Sequence, residues 1–216
     1  METTISDIFF DLDHTLWDFE KNSAMAFETI LKKHGIPVDI AHFVALYVPI
    51  NSKYWKLYQE DQVTQEQLRY GRLKDVFDSI GYEISDDVIH LLAEEYIHYL
   101  PQYNHLFEGT IELLDYLKPK YKLHIITNGF NQIQFNKLKN SNIDHYFETV
   151  TNSENAGFKK PNPQIFHYAL EISNSKRETS VMIGDNFEAD IEGSLSVGMD
   201  AIMFNEHNIE VAENIK

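Results

Sequence analysis

The sequence has 216 residues, 43% apolar and 24% charged, which excludes a disordered chain and allows one large domain or a core domain plus a smaller one. The formal net charge of −16 excludes nucleic acid and anionic membranes as partners that bind through charge alone. The absence of cysteine excludes disulfides, zinc–thiolate sites and a thiol nucleophile.

The sequence contains no recognisable targeting or membrane segment. No stretch reaches the roughly 18 consecutive apolar residues that a membrane span needs. The first residues, Met1 to Asp7, carry neither the basic nor the apolar region of a signal peptide. We therefore expect a cytoplasmic protein.

The chain opens with a short apolar run that ends abruptly in the carboxylates Asp11 and Asp13. Such a run is typical of a buried strand with its polar chemistry at the C-terminal tip. From about Glu20 to about Tyr99 the apolar residues follow helical spacing instead, which predicts about four helices. The predicted breaks between them are Gly35-Ile36-Pro37, Pro49, Gly81 and Pro101.

Beyond Pro101, strands alternate with helices. The predicted strands are 123–128, 149–151, 181–185 and 201–204. The predicted helices are 110–118, with Thr110 as candidate N-cap, then one near 132–139, 163–172 and 189–197. This alternation predicts an α/β protein with a doubly wound parallel sheet. We assign residues 1–18 and 103–216 to this core and residues 19–102 to an inserted, all-helical cap domain.

Four polar clusters each follow a predicted strand, and the carboxyl ends of parallel strands form the ligand crevice of such a sheet. In the first cluster, Asp11 could serve as nucleophile and Asp13 as acid and base on one phosphorus centre. Taken alone, an Asp-x-Asp pair is more often a solvated turn, because surface acids are common.

The second and third clusters offer groups that bind an anion. Thr127 supplies a hydroxyl, Asn128 exposed amides, and Gly129 permits close backbone approach to phosphate oxygens. Lys160, held by the following Pro161, could place a fixed ammonium in the crevice. Taken alone, these clusters read as an Asn-Gly turn and an exposed loop lysine.

The fourth cluster places Asp185 at a strand end, and Asn186 and Asp190 at the start of the next helix. Oxygen-rich sites of this kind suit a hard cation such as Mg²⁺. The acid at Asp190 also has a structural explanation, because a carboxylate near the start of a helix interacts favourably with the helix dipole. That explanation does not apply to Asp185.

Taken together, the clusters resemble the four motifs of the haloacid-dehalogenase-like hydrolase superfamily, and the similarity spans the whole chain. The matching residues are Asp11-x-Asp13-x-Thr15, Thr127, Lys160-Pro161 and Gly184-Asp185-x-x-x-x-Asp190. Thr127-Asn128-Gly129-Phe130, Trp55 and the stretch 64–73 look most like the branch of cytoplasmic nucleotidases that act on non-standard pyrimidine nucleoside monophosphates. The resemblance implies a Rossmann-like core and a magnesium-dependent phosphatase.

The resemblance also implies roles for individual residues. Asp11 would attack phosphorus in line and form an aspartyl-phosphate that water then hydrolyses. Asp13 would protonate the leaving oxygen and later accept a proton from the water, and its backbone carbonyl would ligate the metal. Thr127 would hold a phosphoryl oxygen together with Asn128 and Gly129, and Lys160 would neutralise charge on nucleophile and phosphate.

For the metal, the resemblance implies that Asp11, Asp13 and Asp185 are ligands, with Asn186 and Asp190 in support. Asp190 would either ligate the metal as well or, as the favoured alternative, orient Lys160 or a metal-bound water. Two like charges about 4 Å apart repel by about 4 kcal/mol at an effective dielectric near 20, so several carboxylates facing a phosphate need more positive charge than one lysine supplies. A divalent cation together with Lys160 meets that need.

The predicted cap offers candidate substrate contacts in Trp55, Tyr58 and Arg72, and the segment after the first strand adds Trp17 and Phe19. Each has an ordinary alternative. Trp55 and Tyr58 stand at helical spacing and are more often core residues, and an arginine such as Arg72 more often forms a surface salt bridge.

Several functions remain open from the sequence. Dehalogenases of the superfamily lack an acid at the second position, so Asp13 favours a phosphatase. The main expectation is a nucleoside 5′-monophosphate phosphatase, acting as monomer or homodimer on a small-molecule phosphate monoester. The alternatives are a phosphatase or mutase of small sugar phosphates or phosphoglycolate, and, more remotely, a signalling receiver domain or a non-catalytic binding protein.

Overall fold

A computed structural model describes residues 4–205 and contains one five-stranded sheet in which all paired strands are parallel. The strands are β1 (Asp7–Phe10), β2 (Lys122–Thr127), β3 (Phe147–Asn152), β4 (Ser180–Gly184) and β5 (Asp200–Met203). Their spatial order is β3-β2-β1-β4-β5. The predicted doubly wound α/β fold is confirmed, and β1 lies at its centre.

All helices except the short α7 fall close to where the sequence periodicity predicts them, with two corrections given below. They are α1 (Phe19–Lys33), α2 (Ile40–Gln59), α3 (Gln65–Ile80), α4 (Asp86–Tyr99), α5 (Thr110–Leu117), α6 (Asn131–Asn140), α7 (Ser153–Ala156), α8 (Pro163–Ser173) and α9 (Gly193–Ser196). A π-helix, Phe187–Glu192, directly precedes α9. Within the described residues, no helix combines the length and the apolar character that a membrane crossing requires.

The chain divides into two compact units. The core unit comprises Met1–Phe19 and Asn104–Lys216, and the helical unit comprises Glu20–Tyr103. Residues 1–3 and 206–216 of the core range predicted from the sequence lie outside the described residues.

The core unit is organised around β1, all four residues of which are buried. Phe10 lies opposite Ile125 of β2 on one side and Ile183 of β4 on the other. A strand between two parallel neighbours, buried throughout, requires the unbroken apolar run that Ile8 to Phe10 provides. The same pairing brings the loops after β1, β2 and β4 to one edge of the sheet.

The helical unit has an aromatic core. The ring of Phe27 stacks on that of Tyr96 at 4.4 Å and lies 4.5 Å from that of Tyr47 and 5.0 Å from that of Phe43. Helix α3 begins at a capping box between Thr64 and Gln67. These packed rings and the cap give the helical unit a core of its own.

The predicted break at Pro49 is wrong, because Pro49 lies inside α2. A proline within a helix costs about 3 kcal/mol through its missing N–H and a ring clash. Phe43 and Tyr47 before it and Asn51 after it are buried on one side of the helix, and burying large side chains contributes about 1.5–3 kcal/mol each. Packing therefore keeps α2 continuous, and the break falls between Gln59 and Thr64.

The predicted N-cap of α5 is also wrong by one residue. Gly109 is the N-cap, with φ +81°, and Thr110 is the first helical residue. Glycine adopts this left-handed conformation without the steric penalty that a Cβ brings. The Thr110 hydroxyl instead donates to the Leu16 carbonyl at 3.3 Å, which ties α5 to the loop after β1.

Candidate active site

The loop after β1 carries the first predicted pair of acids. The Asp11 backbone N–H donates to the Ile183 carbonyl at 2.9 Å, so Asp11 continues the pairing of β1 with β4 and its side chain is buried. The chain then turns sharply, because the backbone N–H groups of Leu16 and Trp17 both donate to the Leu12 carbonyl, at 3.0 and 2.9 Å. Asp13 lies within this turn and stays partly exposed.

The Lys160 ammonium lies at the centre of the site. It donates to Asp11 Oδ1 at 2.7 Å, to Asp190 Oδ1 at 2.6 Å and to the Ile126 carbonyl at 2.8 Å. An ammonium has three protons, and each has an acceptor here. Lys160 is buried, so its charge depends on these contacts rather than on water.

Asn128 holds the backbone of Lys160 in place. The Asn128 side-chain amide donates to the Lys160 carbonyl at 3.0 Å, and its oxygen accepts from the Lys160 N–H at 2.7 Å. The Asn128 side chain therefore fixes the backbone that carries the Lys160 ammonium.

Asp185 directly follows β4, the strand that pairs with β1 on the side opposite β2. Its Oδ1 accepts a hydrogen bond from the Thr15 hydroxyl at 3.2 Å. Carboxylate oxygens of Asp11, Asp185 and Asp190 all lie within 4.8 Å of one another. Residues from the loops after β1 and β4 and the start of the π-helix therefore meet at one point.

Asp190 reaches this point because Gly184 has no side chain. A Cβ on Gly184 would lie 2.3 Å from Asp190 Oδ2, closer than any real contact. The Asn186 backbone N–H donates to Asp190 Oδ2 at 3.0 Å, and the Asn186 side chain caps the π-helix by accepting from the Ala189 N–H at 2.9 Å. Asn186 thus supports Asp190 through its backbone.

The three carboxylates carry more negative charge than the protein neutralises. Burial raises the pKa of Asp11 to about 7, although the Lys160 ammonium opposes this rise. Burial and the neighbouring Asp11 raise the pKa of Asp185 to about 6. Burial lowers the pKa of Lys160, but attraction to Asp11 and Asp190 outweighs it and raises the pKa above its ordinary value. The ammonium stays charged, and a further cation would stabilise the ionised acids.

This donor set fits a hard divalent cation. Aspartate oxygens are the ligands that Mg²⁺ prefers, and Mg²⁺ needs only one or two protein carboxylates because it keeps several waters. Asp190 has both oxygens engaged, by Lys160 and by the Asn186 N–H. Asp11 and Asp185 are therefore the carboxylates best suited to such an ion.

Two residues of α6 belong to the site and were missed in the sequence. Lys137 donates to Asp13 Oδ1 at 2.6 Å, and Gln134 donates to Asp13 Oδ2 at 2.9 Å and to Thr127 Oγ1 at 2.7 Å. Both side chains are buried. Nothing in the sequence distinguishes these two polar residues from the exposed polar residues of the same helix.

The aromatic residues after β1 and the candidates of the helical unit each have their own contacts. Trp17 is fully buried, and its indole N–H donates to Ser141 Oγ at 3.2 Å. Trp55 and Tyr58 are half-buried, with their rings edge to face at 5.7 Å. Arg72 is buried rather than on the surface, donates to Asn51 Oδ1 at 2.8 Å and lies over the Tyr96 ring at 4.9 Å.

Known proteins resemble the chain over almost its full length. Pyrimidine 5′-nucleotidase PynA of Streptococcus pneumoniae is 34% identical over 94% of this chain and 85% of its own. Pyrimidine 5′-nucleotidase YjjG of Escherichia coli is 31% identical over 96% and 89%. A glyceraldehyde 3-phosphate phosphatase of Methanothermobacter thermautotrophicus is also 31% identical, over 94% and 87%.

A solved structure shares the fold closely. The crystal structure of the HAD-hydrolase YfnB from Bacillus subtilis, bound to magnesium, matches 97% of this chain and 93% of its own with a TM-score of 0.87 and 28% identity. The family model described as haloacid dehalogenase-like hydrolase matches residues 8–204. The sequence motifs, the fold and the match to the family model agree with one another. The chain belongs to the haloacid dehalogenase-like hydrolase family.

Proposed function

We propose that this hydrolase is a magnesium-dependent phosphomonoesterase that acts through an aspartyl-phosphate and prefers pyrimidine nucleoside 5′-monophosphates. The observation that carries the proposal is the position of the Lys160 ammonium, 2.7 Å from Asp11 and beside the cluster of Asp11, Asp185 and Asp190. A nucleophilic carboxylate needs a fixed positive partner to approach an anionic phosphate.

The first chemical step transfers the phosphoryl group to Asp11. An oxygen of the Asp11 carboxylate forms a bond to phosphorus while the bond from phosphorus to the ester oxygen breaks. The electron pair of that bond goes to the leaving oxygen, which takes a proton from Asp13 and departs as an alcohol. Lys160 neutralises charge on Asp11 and on the phosphoryl oxygens, and Thr127 holds one of those oxygens.

The second step returns the enzyme to its starting state. A water molecule attacks phosphorus and gives a proton to the Asp13 carboxylate. The bond between phosphorus and Asp11 breaks, the carboxylate of Asp11 is restored, and inorganic phosphate leaves. Asp13 thus serves as acid first and base second, and no proton is gained or lost by the site over the cycle.

Asp11, Asp185 and the backbone carbonyl of Asp13 would hold Mg²⁺. When bound, the ion supplies positive charge that lowers repulsion between the carboxylates and the phosphoryl oxygens. The magnesium-bound YfnB structure supports this assignment, since that protein shares the fold.

The nucleotide preference is supported by the two pyrimidine 5′-nucleotidases among the relatives. The relative that is a glyceraldehyde 3-phosphate phosphatase favours the second candidate, a phosphatase of small sugar phosphates. Membership of a hydrolase family sets the receiver domain aside. We extend the proposal to a cytoplasmic enzyme, monomer or homodimer, whose helical unit (Glu20–Tyr103) serves as a cap domain that selects the substrate.

A phosphate-release screen of the purified protein with Mg²⁺ tests the proposal, with pyrimidine and purine monophosphates, sugar phosphates and phosphoglycolate as substrates. We expect pyrimidine monophosphates to lead, and Asp11→Asn to abolish turnover while the protein stays folded by circular dichroism. If sugar phosphates are hydrolysed fastest, the proposed substrate is wrong and the proposed mechanism stands. If Asp11→Asn turns over substrate normally, the proposed mechanism is wrong.

A further inference from the structure

Both oxygens of the Asp13 carboxylate are held by one helix. Lys137 donates to Oδ1 at 2.6 Å and Gln134 to Oδ2 at 2.9 Å, and the two residues stand one turn apart on α6. Asp13 is 21% exposed and Lys137 only 2%. The partly exposed acid is therefore held at both of its oxygens by buried side chains, and each oxygen keeps a further lone pair.

Lys137 has little freedom to point elsewhere. Its ammonium lies 4.4 Å from the centre of the Trp17 ring and 5.3 Å from that of Phe19, both at the end of the loop that carries Asp13. A buried ammonium is costly unless it is paired, and aromatic faces add a modest attraction. The aromatic rings and Asp13 together determine where the Lys137 charge lies.

Gln134 links Asp13 to the proposed phosphate ligand. Its Nε2 donates to Thr127 Oγ1 at 2.7 Å as well as to Asp13, and Thr127 Oγ1 also accepts from the Gly129 N–H at 3.1 Å. Because Thr127 Oγ1 accepts both bonds, its own proton is available for a phosphoryl oxygen. A Cβ on Gly129 would lie 2.2 Å from Gln134 Nε2, so the glycine makes room for this side chain.

We propose that Gln134 and Lys137 are positioning residues that set the Asp13 carboxyl at a fixed distance from Thr127, and so from the ester oxygen of the substrate. The inference rests on the proposed function, in which Asp13 gives a proton to the leaving oxygen. Positioning of that proton matters only when the leaving group needs one. The two residues therefore discriminate between esters by the basicity of the leaving oxygen.

Two esters separate this role from a merely structural one. A nucleoside 5′-monophosphate leaves as a basic alkoxide and needs the proton, whereas p-nitrophenyl phosphate leaves as a stable phenolate and does not. We expect Lys137→Met, which keeps the length of the side chain, to lower kcat/KM on the nucleotide by about tenfold or more, a part of the roughly 10²–10⁴-fold that general acid–base catalysis supplies. The ratio kcat/KM reports the first chemical step, so it is independent of the later role of Asp13 as base, which both esters share. The kcat/KM on p-nitrophenyl phosphate should change by less than about threefold, because the departure of its leaving group uses no acid.

Gln134→Leu is the second variant, in case Lys137→Met folds poorly, and it should show the same split between the two esters. Lys139→Met is the matched control, because it removes the same charge from an exposed position of the same helix, and both of its rates should stay at the wild-type level. Equal losses of kcat/KM on both esters in Lys137→Met and Gln134→Leu, or no loss on either ester, would overturn the inference.

Asp13→Asn distinguishes a failure of this inference from a failure of the proposed function. If Asp13→Asn loses most of kcat/KM on the nucleotide and keeps much of kcat/KM on p-nitrophenyl phosphate, Asp13 is the acid of the first step, and the Lys137 and Gln134 variants decide the inference alone. If Asp13→Asn hydrolyses the nucleotide at the wild-type rate, the proposed role of Asp13 is wrong, and the inference falls with it.

Discussion

The Asp190 carboxylate accepts a hydrogen bond from the Lys160 ammonium at 2.6 Å, and both side chains are almost completely buried. The other oxygen of Asp190 is held by the Asn186 N–H at 3.0 Å. Lys160 in turn donates to Asp11 at 2.7 Å. Asp190 thus acts on the proposed nucleophile through the lysine.

This relationship predicts that Asp190→Asn impairs turnover more than it impairs metal binding. Asparagine keeps the shape but removes the charge that opposes Lys160, so the ammonium loses part of its anchor beside Asp11. We expect kcat to fall by about tenfold or more, equivalent to about 1.4 kcal/mol in the barrier. Steady-state rates over a magnesium titration measure both effects. A magnesium requirement raised as far as in Asp185→Asn would instead make Asp190 a direct ligand.

Asp185→Asn should weaken magnesium binding. A neutral amide replaces a carboxylate ligand, so the metal concentration for half-maximal activity should rise by about tenfold or more, as changes around metal sites commonly produce. Magnesium should also raise the melting temperature of the wild type and raise it much less in the variant. Asp200→Asn, at an exposed position, is the control. An unchanged magnesium response in Asp185→Asn would exclude Asp185 as a ligand.

Gly184→Ala should disturb the site by displacing Asp190, since the added Cβ would lie 2.3 Å from Asp190 Oδ2. We expect a lower melting temperature and a lower kcat. A double-mutant cycle identifies the cause, because adding Gly184→Ala to Asp190→Gly should cost little once the whole clashing side chain is gone, including its Cβ, which would lie 2.6 Å away. If the two substitutions act additively, the clash with Asp190 is not the reason for the glycine.

The buried pair of His124 and Asp7 predicts that the stability of the protein depends on pH. His124 is buried, with Nδ1 2.9 Å from Thr149 Oγ1 and Nε2 3.3 Å from Asp7 Oδ1. Burial lowers the pKa of His124 below its ordinary value, although Asp7 opposes this. A neutral ring can donate to Asp7 and accept from Thr149. A neutral His124 ring adds no Coulomb attraction to the Asp7 carboxylate. The hydroxyls of Ser6 and Ser175 are therefore the main groups that lower the pKa of Asp7, against the effect of its burial.

The sign of the effect follows from proton linkage. Below the unfolded pKa of about 6.5, the unfolded state binds a proton at His124 before the folded state does, so stability is lost as the pH falls. Asp7, whose folded pKa is lowered, loses its own contribution only below about pH 4. Urea unfolding at about pH 7.5 and about pH 5.5 should show a loss that His124→Asn removes and the exposed-site variant His167→Asn keeps. An equal acid loss in His124→Asn would contradict this account.

The sheet and the meeting of the polar loops could be predicted because each depends on a local pattern. An apolar run that stops at a carboxylate, as at Phe10 and Asp11, predicts both a buried strand and the place of its polar tip. Once the strands are parallel, the loops after them lie at one edge whatever their separation in sequence. Lys160 and Asp11, 149 positions apart, are in contact for this reason.

The part played by α6 could not be predicted in the same way. Its buried positions include Gln134 and Lys137, whereas Phe135 between them is 55% exposed. Ile133 and Leu138 are buried on the same helix, so hydrophobic periodicity finds the helix. It does not predict that polar residues are buried there too, because contacts with Asp13 and Thr127 account for their burial. The predicted break at Pro49 was wrong for a related reason. Packing along the whole of α2 outweighs the local rule that a proline interrupts a helix.

The paired hydrogen bonds between Asn128 and the Lys160 backbone have a chemical consequence. Through these two bonds the Asn128 side chain pairs with the backbone of another loop as a strand would. Only an amide side chain both donates and accepts hydrogen bonds at the two required places. An aspartate at position 128 would turn a carboxylate oxygen toward the Lys160 carbonyl in place of the donor, so the backbone that carries the ammonium would lose one of its two bonds to this side chain.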